Sequence, residues 1–331
     1  MISAIIPLRN EEKNVKDVLE SLRNSLNSSG EEYEIIAVDD GSTDRTPEIL
    51  KNFDGVKVIR IDKKSESAVG KNFALWFGAK SSKGNILLFL DADVRLEEGS
   101  IRKVLPLLKL YDLVSISPKQ ITDSPFSASL QPMVFKFLSS IYEPKKVSDP
   151  KSKIVAANGQ FIMIKREVYF KVCGHKAVIS RILEDVELAR NVKYSGFKVF
   201  LGNGKDYGVR CKMYDSLRDM LDGWSKNLYF LSFEKIYLPL TFGFMHLFEA
   251  LASFFFILYF VKLGDFGLAS GVFLLANLYT FYIFRNHREF YTIFHLFLGS
   301  ILFIFVSLRS WYWVRFKRGV YWRGRFIRLQ L

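Results

Sequence analysis

Cysteine is nearly missing from this chain of 331 residues, which has only Cys173 and Cys211. Two thiols without metal-ligand spacing exclude a disulfide framework and offer no zinc site. The patterns G-x-x-x-x-G-K-S/T and G-x-G-x-x-G are also absent, which removes the P-loop and the Rossmann dinucleotide fingerprint. No internal repeat or low-complexity linker occurs, and this argues against a repeat-built transporter. Met1-Ile2-Ser3-Ala4-Ile5-Ile6 lacks the layout of a secretory signal, so the soluble part is expected in the cytosol. Acidic residues are missing from the last 23 positions, which hold Arg309, Arg315, Lys317, Arg318, Arg323, Arg325 and Arg328.

What is present divides sharply. Residues 1–235 mix charged and apolar side chains, whereas Leu, Phe and Tyr dominate beyond them. Three windows, Phe244–Leu263, Phe266–Phe284 and Phe290–Leu308, approach the ~20 apolar residues that a bilayer crossing requires. Residues 236–310 are therefore expected to be transmembrane and 311–331 to form a basic, aromatic interfacial tail. The net charge of +13 could suggest nucleic acid. However, the tail sets its cations beside Trp311, Tyr312, Trp313, Tyr321 and Trp322, and anionic lipid headgroups explain that combination better. Three crossings would place the tail opposite the soluble part, while its charge favours the same side. Either one window is re-entrant or interfacial or the charge rule fails here, and an even number of crossings is the expectation. Glu249 stands inside an apolar window, where an ionisable group is costly. His246, three residues earlier, is a possible partner.

The soluble part reads as alternating strands and helices. Ile2–Pro7, Tyr33–Val38, Val56–Ile61 and Asn85–Leu90 are strand-like. Helices are expected from Asn10-Glu11-Glu12, from Thr46-Pro47-Glu48 and over Gly70–Ala79. This order implies an α/β fold with a mostly parallel sheet and helices on both faces. Phe126–Tyr142 is expected as an amphipathic helix within a less regular stretch.

The apolar strand Ile86-Leu87-Leu88-Phe89-Leu90 ends in Asp91-Ala92-Asp93, two carboxylates on one side of the chain. Ligands of open α/β sheets bind at the carboxyl edge. Mg²⁺ or Mn²⁺ carrying a phosphate would compensate such a pair, although an acidic turn that caps the next helix is the plainer alternative. Asp39-Asp40 ends another strand and would occupy the same edge. Lys71, at a helix start, could add positive charge near a diphosphate or be a plain surface lysine. Glu184-Asp185 suits helix capping as well as base catalysis.

Taken in order, these segments resemble family 2 glycosyltransferases with the nucleotide-diphospho-sugar transferase (GT-A) fold. The matching segments are Ile5-Ile6-Pro7-Leu8-Arg9-Asn10-Glu11-Glu12, Val38-Asp39-Asp40-Gly41-Ser42-Thr43-Asp44, Leu90-Asp91-Ala92-Asp93, Asn158-Gly159-Gln160-Phe161, Gly174-His175 and Leu183-Glu184-Asp185-Val186-Glu187. Met213-Tyr214, Gly223-Trp224-Ser225-Lys226-Asn227 and Trp322-Arg323-Gly324-Arg325 resemble the membrane-attached branch that includes carotenoid glycosyltransferases.

The resemblance implies that Asp40, with Asp39, contacts the nucleotide base and ribose, beside Pro7, Arg9 and Glu11. It puts Lys71 near the diphosphate, and Asp91 and Asp93 at the metal, Mg²⁺ or Mn²⁺. Asp185, preceded by Glu184, takes the place of the catalytic base. Gln160, His175, Trp224 and Lys226 fall on the acceptor side. Trp224 and Lys226 replace the Q-x-x-R-W signature of processive relatives, which argues against a polysaccharide synthase. The implied activity is inverting hexosyl transfer from a UDP- or GDP-sugar to a membrane lipid, by an integral membrane protein whose catalytic domain faces the cytoplasm. The alternatives are a polyisoprenyl-phosphate glycosyltransferase and a non-catalytic nucleotide-sugar-binding membrane protein.

Overall fold

The computed structural model describes residues 1–61, 70–285, 291–322 and 325–328. The chain packs as two units: residues 1–119 with 142–212, and residues 120–141 with 213–331. The helix expected over 126–142 is Pro125–Ile141. It packs with the later apolar helices, as do residues 213–235, which composition assigns to the soluble part.

A seven-stranded sheet organises the first unit. From edge to edge its strands are Val56–Arg60, Tyr33–Asp39, Ile2–Leu8, Ile86–Leu90, Phe161–Lys165, Leu113–Ser117 and Val199–Asn203. The first four run parallel, as their apolar runs imply. Phe161–Lys165 is antiparallel to both neighbours, so the sheet is mixed. Ile2, Ala4, Ile5, Ile6 and Leu8 are all buried, and each larger one contributes about 1.5–3 kcal/mol by leaving water.

The register decides where chemistry can occur. Leu8 pairs with Asp39, and the Asp40 amide donates to the Leu8 carbonyl at 2.8 Å. On the other side Ile5 pairs with Phe89. The second and fourth strands thus bring Asp39-Asp40 and Asp91 out at one edge. Because Phe161–Lys165 runs the other way, its beginning lies there too, and the Asp91 amide donates to the Gln160 carbonyl at 3.1 Å.

The first helix begins at Val15 and not at Asn10. Asn10 has a φ of 53°, which breaks the helical path, and the Glu11 carbonyl accepts the amides of Asn14 and Val15. Helix Gly70–Lys80 crosses the sheet at Gly78, where an added Cβ would stand 2.5 Å from the Ile5 Cγ2 atom and 3.0 Å from that of Val38.

The second unit holds three helices long and apolar enough to cross a membrane: Tyr237–Lys262, Phe266–Phe284 and Ile293–Arg315. All three are continuous, so the re-entrant window expected from charge is not seen as a break in any of them. The first two bury little: 11% of each most apolar window is covered, against 44% in the third. Phe248, Leu258 and Leu275 project outward, as lipid-facing side chains would. Ile293–Arg315 instead forms the unit's centre. At Gly299 an added Cβ would lie 2.5 Å from the Ser129 carbonyl oxygen, so the two helices touch through backbone. Tyr291 Oη donates to the same carbonyl at 2.9 Å, and Arg309 pairs with Asp222 at 2.5 Å.

Glu249 meets His246 at 2.7 Å and accepts from Tyr279 Oη at 3.4 Å, which compensates its carboxylate locally. The expected tail is partly helix, since Trp311, Tyr312 and Trp313 belong to Ile293–Arg315. A hairpin of Gly319–Trp322 and Arg325–Arg328 follows. Phe290, Arg323 and Gly324 lie outside the described residues.

The close crossing at Gly78 gives a stability prediction. Gly78→Ala should lower the unfolding free energy of the detergent-purified protein by about 1–3 kcal/mol, as overpacking against a stiff β-branched side chain does. Denaturant unfolding followed by circular dichroism measures it, and a wild-type midpoint would mean that the helix can lift off the sheet without loss.

Candidate active site

At the carboxyl edge of the sheet, one ammonium group holds carboxylates from two elements together. Lys71, in the first turn of helix Gly70–Lys80, places Nζ 2.8 Å from Asp91 Oδ2 and 3.2 Å from Glu184 Oε1. Burial alone would discharge the lysine, but the fields of Asp91 and Glu184 outweigh it and hold the ammonium well above its usual range. Asp91 is itself pushed up by burial, and Lys71 offsets that only in part.

The neighbouring carboxylates are less well compensated. Burial, then the charge of Asp91, pushes Asp93 up to about 7. Gln160 Nε2 reaches Asp93 Oδ2 at 3.4 Å, and Asp93 Oδ1 finds no donor among the described residues. Asp185 is likewise raised to about 7, first by burial and then by Glu184. Its Oδ2 accepts from the Gly159 amide at 2.7 Å and its Oδ1 from the Val186 amide at 2.8 Å. Asp185 lies in the first turn of helix Glu184–Tyr194, whose N-cap position is Leu183 with no side-chain cap, and its carboxylate is anchored on the loop that carries Gln160. The contacts close a circuit from Asp91 through Lys71, Glu184, Asp185, Gly159 and Gln160 back to Asp93.

The strand end at Asp39-Asp40 is built differently. Asp39 Oδ1 accepts from the Ser42 amide at 2.9 Å, which folds the turn. Asp40 Oδ2 lies 3.6 Å from Arg9, and Arg60 stands 4.0 Å from Asp39. Pro7 pairs with Val38 within the sheet. Glu11 sits behind them, its amide donating to Thr46 Oγ1 at 2.9 Å, and its charge adds to the upward push on Asp91 and Asp93. Asp44 organises this turn by accepting from the amides of Glu12 and Thr46, both at 3.0 Å. Burial opposes its charge, but these bonds and one from the Thr46 side chain hold its carboxyl below the usual range.

The sequence model of the family described as "Glycosyl transferase family 2" matches residues 3–172, more than half of the chain. The chain belongs to glycosyl transferase family 2. It is 31% identical over 237 residues to the 4,4'-diaponeurosporenoate glycosyltransferase of Staphylococcus haemolyticus. It is 26% identical over 237 residues to the enzyme of that name from Staphylococcus aureus strain USA300. Each match covers 69% of this chain but only 60% of the relative. Among solved structures, the mannosyltransferase PcManGT of Pyrobaculum calidifontis, in complex with GDP-Man and Mn²⁺, superposes with a TM-score of 0.52. That match covers 93% of this chain and 86% of the other, and its 14% identity speaks to the GT-A fold alone.

Within this family 2 chain, the residues expected on the acceptor side are divided between the two units. His175 is 1% exposed, with Nδ1 3.0 Å from Tyr169 Oη and its ring against Phe89. Burial pushes its pKa down to about 3, so it is a neutral core residue and not a lining one. Gln160 is also buried, its Nε2 2.8 Å from Cys211 Sγ, and it backs Asp93. Trp224 and Lys226 belong to the other unit, on helix Leu217–Leu231. Trp224 is buried there against Phe135 and Tyr214, and Lys226 is half-buried.

Other contributors carry no motif. Arg95 donates to the carbonyls of Ala92 and Val94 and reaches Asn14 and Asp17, which fixes the acidic turn to the first helix. Asn72 is fully buried. Only the basic type of Arg95, two residues after Asp93, could have signalled it.

The donors present fit a divalent cation. Asp91 and Asp93 offer hard oxygens, one of them buried without a donor among the described residues, and the charge of Asp91 adds to the burial that raises the pKa of Asp93. Among the described residues no group of three or more His, Cys, Asp or Glu could hold a metal. A phosphate-bound Mg²⁺ or Mn²⁺ needs only one or two carboxylates, the diphosphate and water supplying the rest.

The pKa of Asp185 carries a stability prediction. A carboxyl raised from 3.8 to about 7 on folding favours the native state below the lower value, and that contribution is lost as pH rises through the upper one. Asp185→Asn should therefore melt higher than wild type at pH 8, with the gap closing as pH falls from about 7 toward 4. Thermal melts in chelator-treated buffer measure it, and a gap that does not change with pH would contradict the burial of this carboxyl.

Proposed function

We propose that this chain is a metal-dependent, inverting glycosyltransferase that moves a hexosyl group from a nucleotide-diphospho-sugar to a lipid acceptor in the membrane. The observation that carries this reading is the circuit at the sheet edge. It combines a carboxylate pair suited to a metal, a lysine suited to a diphosphate, and a carboxylate of raised pKa on a separate helix.

The roles follow from chemistry. Asp40 and Asp39, with Pro7, Arg9 and Glu11 around them, would accept hydrogen bonds from the base and ribose. A divalent cation at Asp91 and Asp93 would neutralise charge on the departing nucleoside diphosphate. Lys71 Nζ, already among these carboxylates, adds a second positive charge on the leaving-group side. Asp185 would take the proton of the acceptor hydroxyl as its oxygen bonds to the anomeric carbon. The bond from that carbon to the diphosphate breaks on the opposite face, so the configuration inverts. A base with a pKa of about 7 is about half deprotonated at neutral pH and basic enough to take that proton.

The donor class is supported by the neighbour whose structure contains GDP-Man and Mn²⁺, and the acceptor class by relatives named for 4,4'-diaponeurosporenoate. The three apolar helices support membrane association. We place the catalytic unit on the cytoplasmic side, with residues 236–310 in the bilayer and 311–331 at its basic, aromatic interface. Helices Pro125–Ile141 and Leu217–Leu231 pack with the apolar helices, which favours an acceptor drawn from the bilayer.

Purified protein in native lipid extract, given radiolabelled UDP- and GDP-sugars, should label a lipid. Chelation should abolish labelling, and Mg²⁺ or Mn²⁺ should restore it. Asp185→Asn should lower kcat by roughly 10²–10⁴-fold, the range of a positioned base. In the wild type, kcat/KM should fall with acid below about pH 7. Full activity in Asp185→Asn would remove it as the base, and labelling that persists in chelator would remove the metal.

A further inference from the structure

Lys71 and Asn72 are adjacent in the chain and reach in different directions. Lys71 holds Asp91 and Glu184. Asn72, with no exposed surface, turns its carboxamide onto the segment just before Glu184. Its Nδ2 lies 3.0 Å from the Val178 carbonyl, 3.2 Å from that of Ile179 and 3.0 Å from that of Arg181. We propose that Asn72 is a positioning residue: its carboxamide clamps the turn 178–181 and so sets where helix Glu184–Tyr194 presents Asp185 relative to Asp91. The inference rests on the glycosyltransferase reading and adds to it a residue that touches neither donor nor acceptor.

The residue type suits the task. Three carbonyl oxygens converge on one nitrogen, and a buried neutral NH₂ can donate twice without bringing a charge into the core. A hydroxyl donates once, and a carboxylate only accepts. The turn is also closed on itself, the Arg181 amide donating to the Val178 carbonyl at 3.0 Å. Asn72 therefore holds a formed unit and not a loose strand of chain. Its Oδ1 has no donor among the described residues. An unmet acceptor in the core is unfavourable, and an apolar residue would avoid it, so the NH₂ contacts are what the position retains. Lys71 and Asn72 together grip both ends of the segment 178–184 from a helix that is packed on the sheet at Gly78. Asp185 closes the far side of the circuit through the Gly159 amide. The distance between the leaving-group side and the base is thereby fixed through a rigid element.

The test uses the full chain in detergent, with Asn72→Ala and the similarly sized Asn72→Leu. Hydrogen–deuterium exchange should rise by about tenfold or more in peptides covering 178–188 and stay unchanged in those covering 2–8 and 86–96. Turnover should fall about tenfold to a hundredfold in kcat, the effect of a base displaced by a fraction of an ångström to an ångström. The Kd for UDP or GDP should stay within about threefold of wild type, because the nucleotide side is untouched. Asn72→Ser, which keeps one donor, should fall between. A merely structural role would weaken nucleotide binding and kcat together and would raise exchange across the sheet as well. Unchanged exchange in 178–188, or raised exchange with wild-type kcat, overturns the proposal. A wild-type protein that turns over no sugar nucleotide defeats the enzymatic reading instead, and with it the positioning role, while the exchange data still decide whether the clamp exists.

Discussion

Excess negative charge at the carboxyl edge of the sheet is the constraint on which the rest of this site depends. Asp91, Asp93, Glu184 and Asp185 converge there, and within that circuit the ammonium of Lys71 is the cation in contact. Burial, and then the neighbouring carboxylates that one ammonium only partly offsets, make Asp93 and Asp185 hold their protons to unusually high pH. A cleft of this kind attracts cations and takes up protons. Both properties suit the glycosyl transfer proposed above.

The fold makes such a cleft possible by removing it from the energetics of the core. Three of the parallel strands, Tyr33–Asp39, Ile2–Leu8 and Ile86–Leu90, bury nearly all of their Ile, Leu, Val and Phe, while the edge strand Val56–Arg60 leaves Val58 exposed. Stability is then carried by the sheet interior, and the strand ends are left to hold charge. Helix Gly70–Lys80 links the two roles. It sits close on the sheet at Gly78, and its first turn delivers Lys71 and Asn72 to two sides of the same segment. The second unit solves a different problem. Its outer helices expose large apolar side chains, while Ile293–Arg315 is held at the centre by the Gly299 contact and the Arg309–Asp222 pair.

Legibility in the sequence followed the range of the interactions involved. Asp91-Ala92-Asp93 and Asp39-Asp40 could be placed at one edge because a buried strand announces itself by composition and its end by the first charge. The antiparallel strand Phe161–Lys165 could not be anticipated, since pairing direction is set by chain path and not by local pattern. The burial of His175 was hidden for a related reason: the resemblance puts it on the acceptor side, and the Tyr169 hydroxyl and Phe89 ring that enclose it are brought to it by the fold. Trp224 and Lys226 stand on helix Leu217–Leu231, which packs with the apolar helices, a grouping that local pattern does not show.

By itself, the sequence determined the alternation of strands and helices, the membrane character of the last third, the family resemblance and the acidic strand ends. All of these depend on short-range periodicity, composition or contiguous motifs. Only the tertiary structure decided that Lys71 bridges Asp91 and Glu184 across more than one hundred positions of chain, that Asp185 is tied to Gly159, and that Asn72 holds the turn before it. Those are hydrogen bonds and ion pairs between distant segments. Their partners are chosen by how helices seat on the sheet, and a one-dimensional pattern does not encode that geometry.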